Sequence, residues 1–254
     1  MPFSRRALSR AEVRWAVDQA FTLVGRRLAA APLLWLLVAV PMALALLRTP
    51  TARGDIGEYF MMIESLYNHW TPDARPRDSS TLGRAAMRHE LRGGFGPILS
   101  IYQVCPEGRY YSIHFWMYPL FTLPAKFALR VLHLNELTGP QVTNAALVAL
   151  VLTQIHRATR LSRRQKTCLM LLFVVSPVLW YVLWPHPEVF SACFVAVALL
   201  LAWEGRGAMA VLCAALASTQ NPPLALLVGL LWLRAGLATF KQDGTARLRG
   251  LGWA

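Results

Sequence analysis

Two carboxylates three residues apart, Asp55 and Glu58, stand just beyond the first long apolar run, in the stretch Gly54-Asp55-Ile56-Gly57-Glu58-Tyr59. An acid held just outside a membrane surface can take a proton from an acceptor hydroxyl brought to a lipid-borne donor. The same spacing suits a helix start. With Asp55 as N-cap and Glu58 at N3, a near capping box would stabilise a helix from Gly57 to Asn68, and the two roles are compatible. Further on, His186 and Glu188 flank Pro187 at a helix turn, where Pro-mediated termination alone explains solvated polar side chains. Gln220 and Asn221 interrupt an apolar region, where amides need partners from a neighbouring helix or a ligand. His69 and His114 have no acids or thiols at ligand spacing, so no zinc site is expected. Neither a Gly-rich phosphate loop nor a Ser-His-Asp order occurs.

The elements that must hold these residues are set by composition. With 56% apolar and 15% charged residues, the chain has lipid as its expected solvent. The net charge of +13 does not imply nucleic acid. Its basic residues lie in short clusters between apolar runs, without the interleaved aromatics of a nucleic-acid stripe, and read as loops facing the cytoplasm. Cys168, Cys193 and Cys213 fall within apolar runs and Cys105 in a polar loop, which gives no disulfide framework.

The fold class expected is all-α and polytopic: an integral membrane protein with about six transmembrane or half-spanning helices, plus juxtamembrane helices in the first outer loop. Residues 1–27 form a cytoplasmic amphipathic helix, opened by Ser9-Arg10-Ala11-Glu12 and with Val13, Val17, Phe21 and Val24 on one face. Leu28 to Leu47 is the first span, a signal anchor rather than a cleaved leader, because no small-x-small site follows it. Residues 48–138 form an outer loop rich in balanced charge. Within it, Ile113 to Leu134 carries Pro119, Pro124, Lys126 and Arg130 and reads as a juxtamembrane helix pair or re-entrant element, since a full crossing would leave Arg157, Arg160, Arg163, Arg164 and Lys166 outside.

Residues 139–234 form a helix bundle, with spans from Val142 to Ile155, Cys168 to Trp184 and Val189 to Trp203. Ala208 to Leu233, broken at Ser218-Thr219-Gln220-Asn221-Pro222-Pro223, reads as a short helical hairpin with its tip toward a cavity, one kinked helix being the rival. Residues 235–254 form a cytoplasmic basic tail.

Asp55-x-x-Glu58-Tyr59 after the first span resembles the first-loop acidic motif of the C-type glycosyltransferases, which include the protein mannosyltransferases and the aminoarabinose transferases of lipid A. Gly108-Arg109-Tyr110-Tyr111, followed by Tyr118-Pro119-Leu120 and Pro124, is similar to that group's second, aromatic and Pro-containing element. Asn144 and His186-Pro187-Glu188 follow in a familiar order, so the resemblance runs over roughly residues 28 to 234. The family motif often has adjacent acids, whereas here Ile56 and Gly57 separate them.

The resemblance implies a transferase that moves a hexosyl or pentosyl group, with inversion, from a polyprenyl-phosphate donor to a glycan, lipid or protein acceptor. It would act at the outer face of a bacterial inner (plasma) membrane, with the N-terminus cytoplasmic. Asp55 would be the general base, and Glu58 or Tyr59 would orient the acceptor or a divalent metal, for which no ligand set is assigned. Arg109, beside Tyr110, is the first candidate for a cation on the leaving phosphate. Lys126 and Arg130 follow, as residues that also snorkel to headgroups. Glu188 with His186, and Gln220 with Asn221, would contact sugar or line the cavity. Family members usually carry more spans and a further outer domain, so the chain is expected to be an N-terminal portion or a reduced relative. The readings from other classes are a non-catalytic membrane subunit and a lipid or solute transport protein.

Overall fold

The computed structural model describes residues 31–50, 55–90, 103–104 and 109–251, with side chains described to residue 238 and not at 103–104. The helix expected over 1–27, the start of the first expected span and Cys105 lie outside the described residues.

The described chain is helical, as composition and apolar periodicity led one to expect. Helix α1 (Pro32–Leu47) starts with Pro32 in its first turn, where a missing N–H costs nothing, and carries Pro41 inside. Helix α2 (Ile56–His69) closes on Trp70 in the left-handed region, φ 62°. Helix α3 (Pro76–Arg88) follows. A small antiparallel ribbon then pairs β1 (Gln103–Val104) with β2 (Tyr110–Tyr111), and Tyr110 also bridges to Ala74.

Helix α4 (Met117–Val131) is one continuous helix with Pro124 inside it, so of the expected helix pair or re-entrant element the pair does not form. Pro119 falls in its first turn, where proline is tolerated, and its carbonyl accepts a bond from the Thr122 hydroxyl at 2.7 Å. Helix α5 (Gly139–Arg157) begins where Gly139 lets the backbone of Lys126 approach; a Cβ there would meet it at 3.2 Å.

The expected span from Cys168 to Trp184 is split into α6 (Arg163–Val175) and α7 (Val178–Val182). Pro177 forces the break: the residue before proline is pushed out of helical geometry, and Ser176 sits at φ −67°, ψ 170°. Helix α8 (Glu188–Trp203) matches its expected span within one residue. Gly205 at φ 80° makes the turn into α9 (Gly207–Gln220).

After a 3-10 turn at Pro222–Leu224, α10 (Ala225–Leu251) returns along α9. A Cβ on Gly207 would lie 2.8 Å from the Ala235 Cβ, so the two helices are in close contact and the hairpin, not the kinked helix, is the arrangement. The basic residues taken as a tail continue α10, because Ala, Leu, Lys and Arg are all good helix formers.

Among the described residues no helix is long and apolar enough to cross a membrane. The 16 residues of α1 extend about 24 Å, short of a roughly 30 Å hydrocarbon core.

Core packing explains how the segment before α5 is fixed to the bundle. In the bundle, Val148, Val151 and Leu152 of α5 meet Phe190, Cys193 and Val197 of α8, while Ala210, Ala214 and Ala217 of α9 lie on one face and allow close approach. Helix α2 is buried on all sides. Tyr59 and Met62 join the bundle core, Ile56, Phe60 and Met61 pack against Leu82, Ala85 and Leu137, and Ile63 and Leu66 pack against Leu123 of α4. The start of α2, where Asp55 and Glu58 stand, is therefore held from three directions.

Candidate functional site

Asp55 occupies the N-cap of α2, yet its side chain makes no capping bond. Its backbone is already helical (φ −73°, ψ −3°), not extended as a side-chain cap requires, and the Glu58 N–H donates to the Asp55 carbonyl at 3.0 Å instead. The near capping box anticipated from Asp55 and Glu58 does not form, and both carboxylates are released toward the segment before α4.

There the Ser112 hydroxyl donates to Glu58 Oε2 at 2.6 Å and accepts the His114 N–H at 3.0 Å, which bends the backbone so that the imidazole returns to the acids. His114 Nε2 lies 3.6 Å from Asp55 Oδ2 and 3.8 Å from Glu58 Oε1. Side-chain exposure rises from 1% at Glu58 to 28% at His114 and 52% at Asp55, so the cluster has a fixed floor and an open mouth.

Tyr59 forms the second wall. Its ring stacks on His114 (centroids 5.3 Å apart, planes at 29°) and meets Tyr118 and His186 edge-on at 5.9 and 5.4 Å. Burial pushes the Tyr59 phenol well above its ordinary range, and the nearby carboxylates of Glu188, Asp55 and Glu58 push it further. The hydroxyl therefore stays protonated and can serve as a hydrogen-bond donor. His186 Nδ1 is paired with Glu188 Oε2 across Pro187, and the Trp184 ring lies 5.6 Å from that of His186.

The structure thus brings together five residues singled out from sequence, Asp55, Glu58, Tyr59, His186 and Glu188. It adds Ser112 and Trp184, which were not, Tyr118, which was named only within the Tyr118-Pro119-Leu120 motif, and His114, which was weighed only as a zinc ligand. His114 was set aside because no ligand-type residue lies near it in sequence; its acids come from α2, more than fifty positions earlier. The pattern Ser112-x-His114 beside Tyr110-Tyr111 was the available signal.

Other candidates are engaged elsewhere. Lys126 Nζ is 2.6 Å from Glu64 Oε2 in a buried ion pair, and its ammonium, like the Arg130 guanidinium, stands over the Tyr67 ring. Gln220 Oε1 accepts the Tyr118 N–H at 2.9 Å, so the hairpin tip fixes the start of α4 one residue behind the aromatic wall. Asn221 is exposed in the turn. Arg109 is exposed at the foot of β2, and the half-buried Tyr110 packs on the α2–α3 core. His69 is held by Asp78 and Thr71.

Donor atoms of Asp55, Glu58 and His114 lie within 4.8 Å of one another, the one such group of three among the described residues. Two carboxylate oxygens and an imidazole nitrogen are a donor set that suits a divalent cation, and the Ser112 bond orients the second oxygen of Glu58 as outer-shell partners do. The residues present fit a metal.

No family model, no curated protein and no solved structure matches this chain.

Proposed function

We propose that this chain is a membrane glycosyltransferase, or the N-terminal portion of one, which moves a sugar from a polyprenyl-phosphate donor to an acceptor hydroxyl at the outer face of a bacterial inner membrane. The observation that carries the reading is the state of Asp55: half-exposed, free of any capping role, and set against an imidazole and a buried second acid. Asp55 takes the acceptor proton as the hydroxyl oxygen bonds to the anomeric carbon. The bond from that carbon to the phosphate oxygen breaks, and the lipid phosphate leaves with the electron pair. Glu58, held by Ser112, and Tyr59 orient the acceptor. A divalent cation bound by Asp55, Glu58 and His114 would supply positive charge beside the leaving phosphate.

Embedding in lipid is part of this reading, and the outward faces of the bundle support it. Leu36, Leu47, Leu172, Val175, Leu226 and Leu230 are all exposed, a run of large apolar side chains that water does not favour and lipid does. The short helices then act as half-spanning elements.

The test is sugar transfer by the purified full chain in nanodiscs, supplied with polyprenyl-phosphate sugars. Asp55→Asn is expected to lower turnover by about 10²–10⁴-fold. Because no cap is lost, it should change stability by no more than about 0.5 kcal/mol. Full turnover in that variant would remove Asp55 as the base. Unchanged acceptor turnover combined with a stability loss near 1 kcal/mol would return it to a cap and the chain to a non-catalytic membrane role.

A further inference from the structure

At the far end of α8 from the acid cluster, a cavity of about 610 Å³ lies between the turn into α9 and the returning α10. That volume is within the roughly 300–1,000 Å³ range of small-molecule sites. Ala202, Ala210, Val211 and Leu231 give it small apolar walls, joined by the exposed indole of Trp232. Its one charged lining residue is Arg234. Two more arginines stand at the same turn. A Cβ on Gly205, which lines the cavity, would lie 3.4 Å from Arg160 Nη2, and Arg206 falls between Gly205 and Gly207, both of them lining residues. Arg160 Nη1 donates to the Trp203 carbonyl at 2.7 Å, which holds the guanidinium in place with Nη2 beside the cavity. None of the three arginines forms an ion pair with a carboxylate among the described residues. Glu204, next to Gly205, is already engaged: its oxygens accept from the Thr159 hydroxyl and from the Thr159 and Arg160 N–H groups.

Three like charges gathered at one turn repel one another, and an anion with several acceptor oxygens relieves that. A small soluble anion would suit the arginines but not the walls. Leu212 on α9 and Leu233 and Leu237 on α10, beside the lining residues in sequence, are each more than half exposed, so the apolar surface continues onto the outward faces. We infer that this cavity seats the head of an anionic phospholipid, a phosphodiester such as phosphatidylglycerol, drawn from the leaflet at that end of the bundle. The phosphate oxygens accept from the Arg160 and Arg234 guanidiniums, Arg206 adds positive charge, and the acyl chains leave along Leu212 and Leu233. The inference rests on the lipid embedding in the reading above and not on its transfer chemistry, because no residue of the acid cluster lines this cavity.

The experiment is native mass spectrometry of the full chain released from detergent micelles that hold phosphatidylglycerol and phosphatidylcholine in equal amounts. One phosphatidylglycerol is expected to stay bound in preference to phosphatidylcholine, and equally so in Asp55→Asn. Arg160→Gln combined with Arg234→Gln should weaken retention about ten- to hundredfold. Arg234→Gln alone, at an exposed side chain whose loss does not threaten the fold, should already weaken it. Arg163→Gln combined with Arg164→Gln removes as much charge from the start of α6, outside the cavity, and should leave retention unchanged. Equal retention of the two lipids would overturn the site, and so would equal losses in the two double variants, which would mark a diffuse basic surface. Displacement by an excess of glycerol phosphate would assign the cavity to a soluble phosphate ester and overturn the lipid. The two proposals fail separately. Preference for phosphatidylglycerol without sugar transfer removes the transferase reading alone, and transfer without that preference removes the lipid site alone.

Discussion

The segment before α5 and the helix bundle that follows it bury different chemistry. Every buried charged side chain among the described residues, Glu58, Glu64, Asp73, Asp78, Lys126 and Glu136, belongs to the segment before α5. From α5 onward the buried polar groups are Gln141, Thr143, Asn144 and Gln220, amides and a hydroxyl without charge. Asn144 Nδ2 donates to the Tyr181 and Trp184 carbonyls and Gln141 Nε2 to that of Leu183, so two amides one turn apart tie the end of α7 to α5. The segment before α5 is thus organised by charges that must find partners, and the bundle by apolar contact with amides as fasteners. Charge burial costs desolvation, so each buried charge must be met by a partner, and that requirement fixes where the elements sit.

The largest expected break in that comparison is at Lys126. Its pair with Glu64 joins α2 to α4, both side chains nearly inaccessible. Lys126→Met leaves Glu64 buried and unpaired and should cost about 3–5 kcal/mol, read by thermal unfolding of the full chain. Lys126→Met combined with Glu64→Leu should recover most of it, since an apolar pair of similar volume replaces the ions. A double variant as weak as the single one would mean that packing, not charge, holds that contact.

The same division decides what could be read from the sequence. Helix α8 was legible nearly to the residue because Pro187 and Gly205 punctuate it, and the turn at Gln220 to Pro223 because polar residues interrupt an apolar run. The break at Ser176-Pro177 was not, since it lies inside a continuous apolar stretch and only the proline marks it. Within the site, Asp55, Glu58 and Tyr59 are adjacent in sequence and His186 and Glu188 nearly so, and both groups were found. His114 joins them only through the fold. Lys126 had a buried partner sixty-two positions away, which periodicity cannot reveal. Composition gave apolar helices, but whether they cross a bilayer depends on length and apolarity together, and no described helix is both long and apolar enough.

A middle-sized contrast sets Asp78 against Asn144. Asp78 accepts from His69, Asn68, Ser65 and the Arg75 N–H, and so links α2 to α3. Asp78→Asn weakens bonds made to a charged acceptor and is expected to cost about 1.5–3 kcal/mol. Asn144→Leu removes two bonds from an uncharged amide in apolar surroundings and should cost about 0.6–2 kcal/mol. Thermal unfolding of the two variants measures both. The reverse order would show that the amides, not the charges, carry the greater share.

The smallest expected effect lies at the opposite end of the bundle and tests whether a carboxylate beyond the start of α5 also organises structure. Glu204, just beyond α8, accepts from the Thr159 hydroxyl at 2.6 Å and from the Thr159 and Arg160 N–H groups at 3.0 Å each. The Thr159 hydroxyl bond first, then the two backbone bonds, hold its carboxyl down at about 2. A carboxyl lowered in the folded state contributes stability that is complete above its ordinary value near 4.5 and fades as pH falls toward 2. Asp73, which burial would raise but the Thr71 and Arg75 bonds lower, and Glu136, where burial is outweighed by the His89 bond, its backbone bond and the nearby Lys126 and His89 charges taken together, fade in the same direction as pH falls. The test must therefore be local. Hydrogen exchange at the Thr159 and Arg160 amides should be slower in the native chain than in Glu204→Gln at pH 6, with the difference closing as pH falls toward 2. Equal protection of the two amides in both proteins at pH 6 would show that this turn is fixed by the Arg160 bond to the Trp203 carbonyl, which both proteins keep, and that acidic fasteners are confined to the segment before α5.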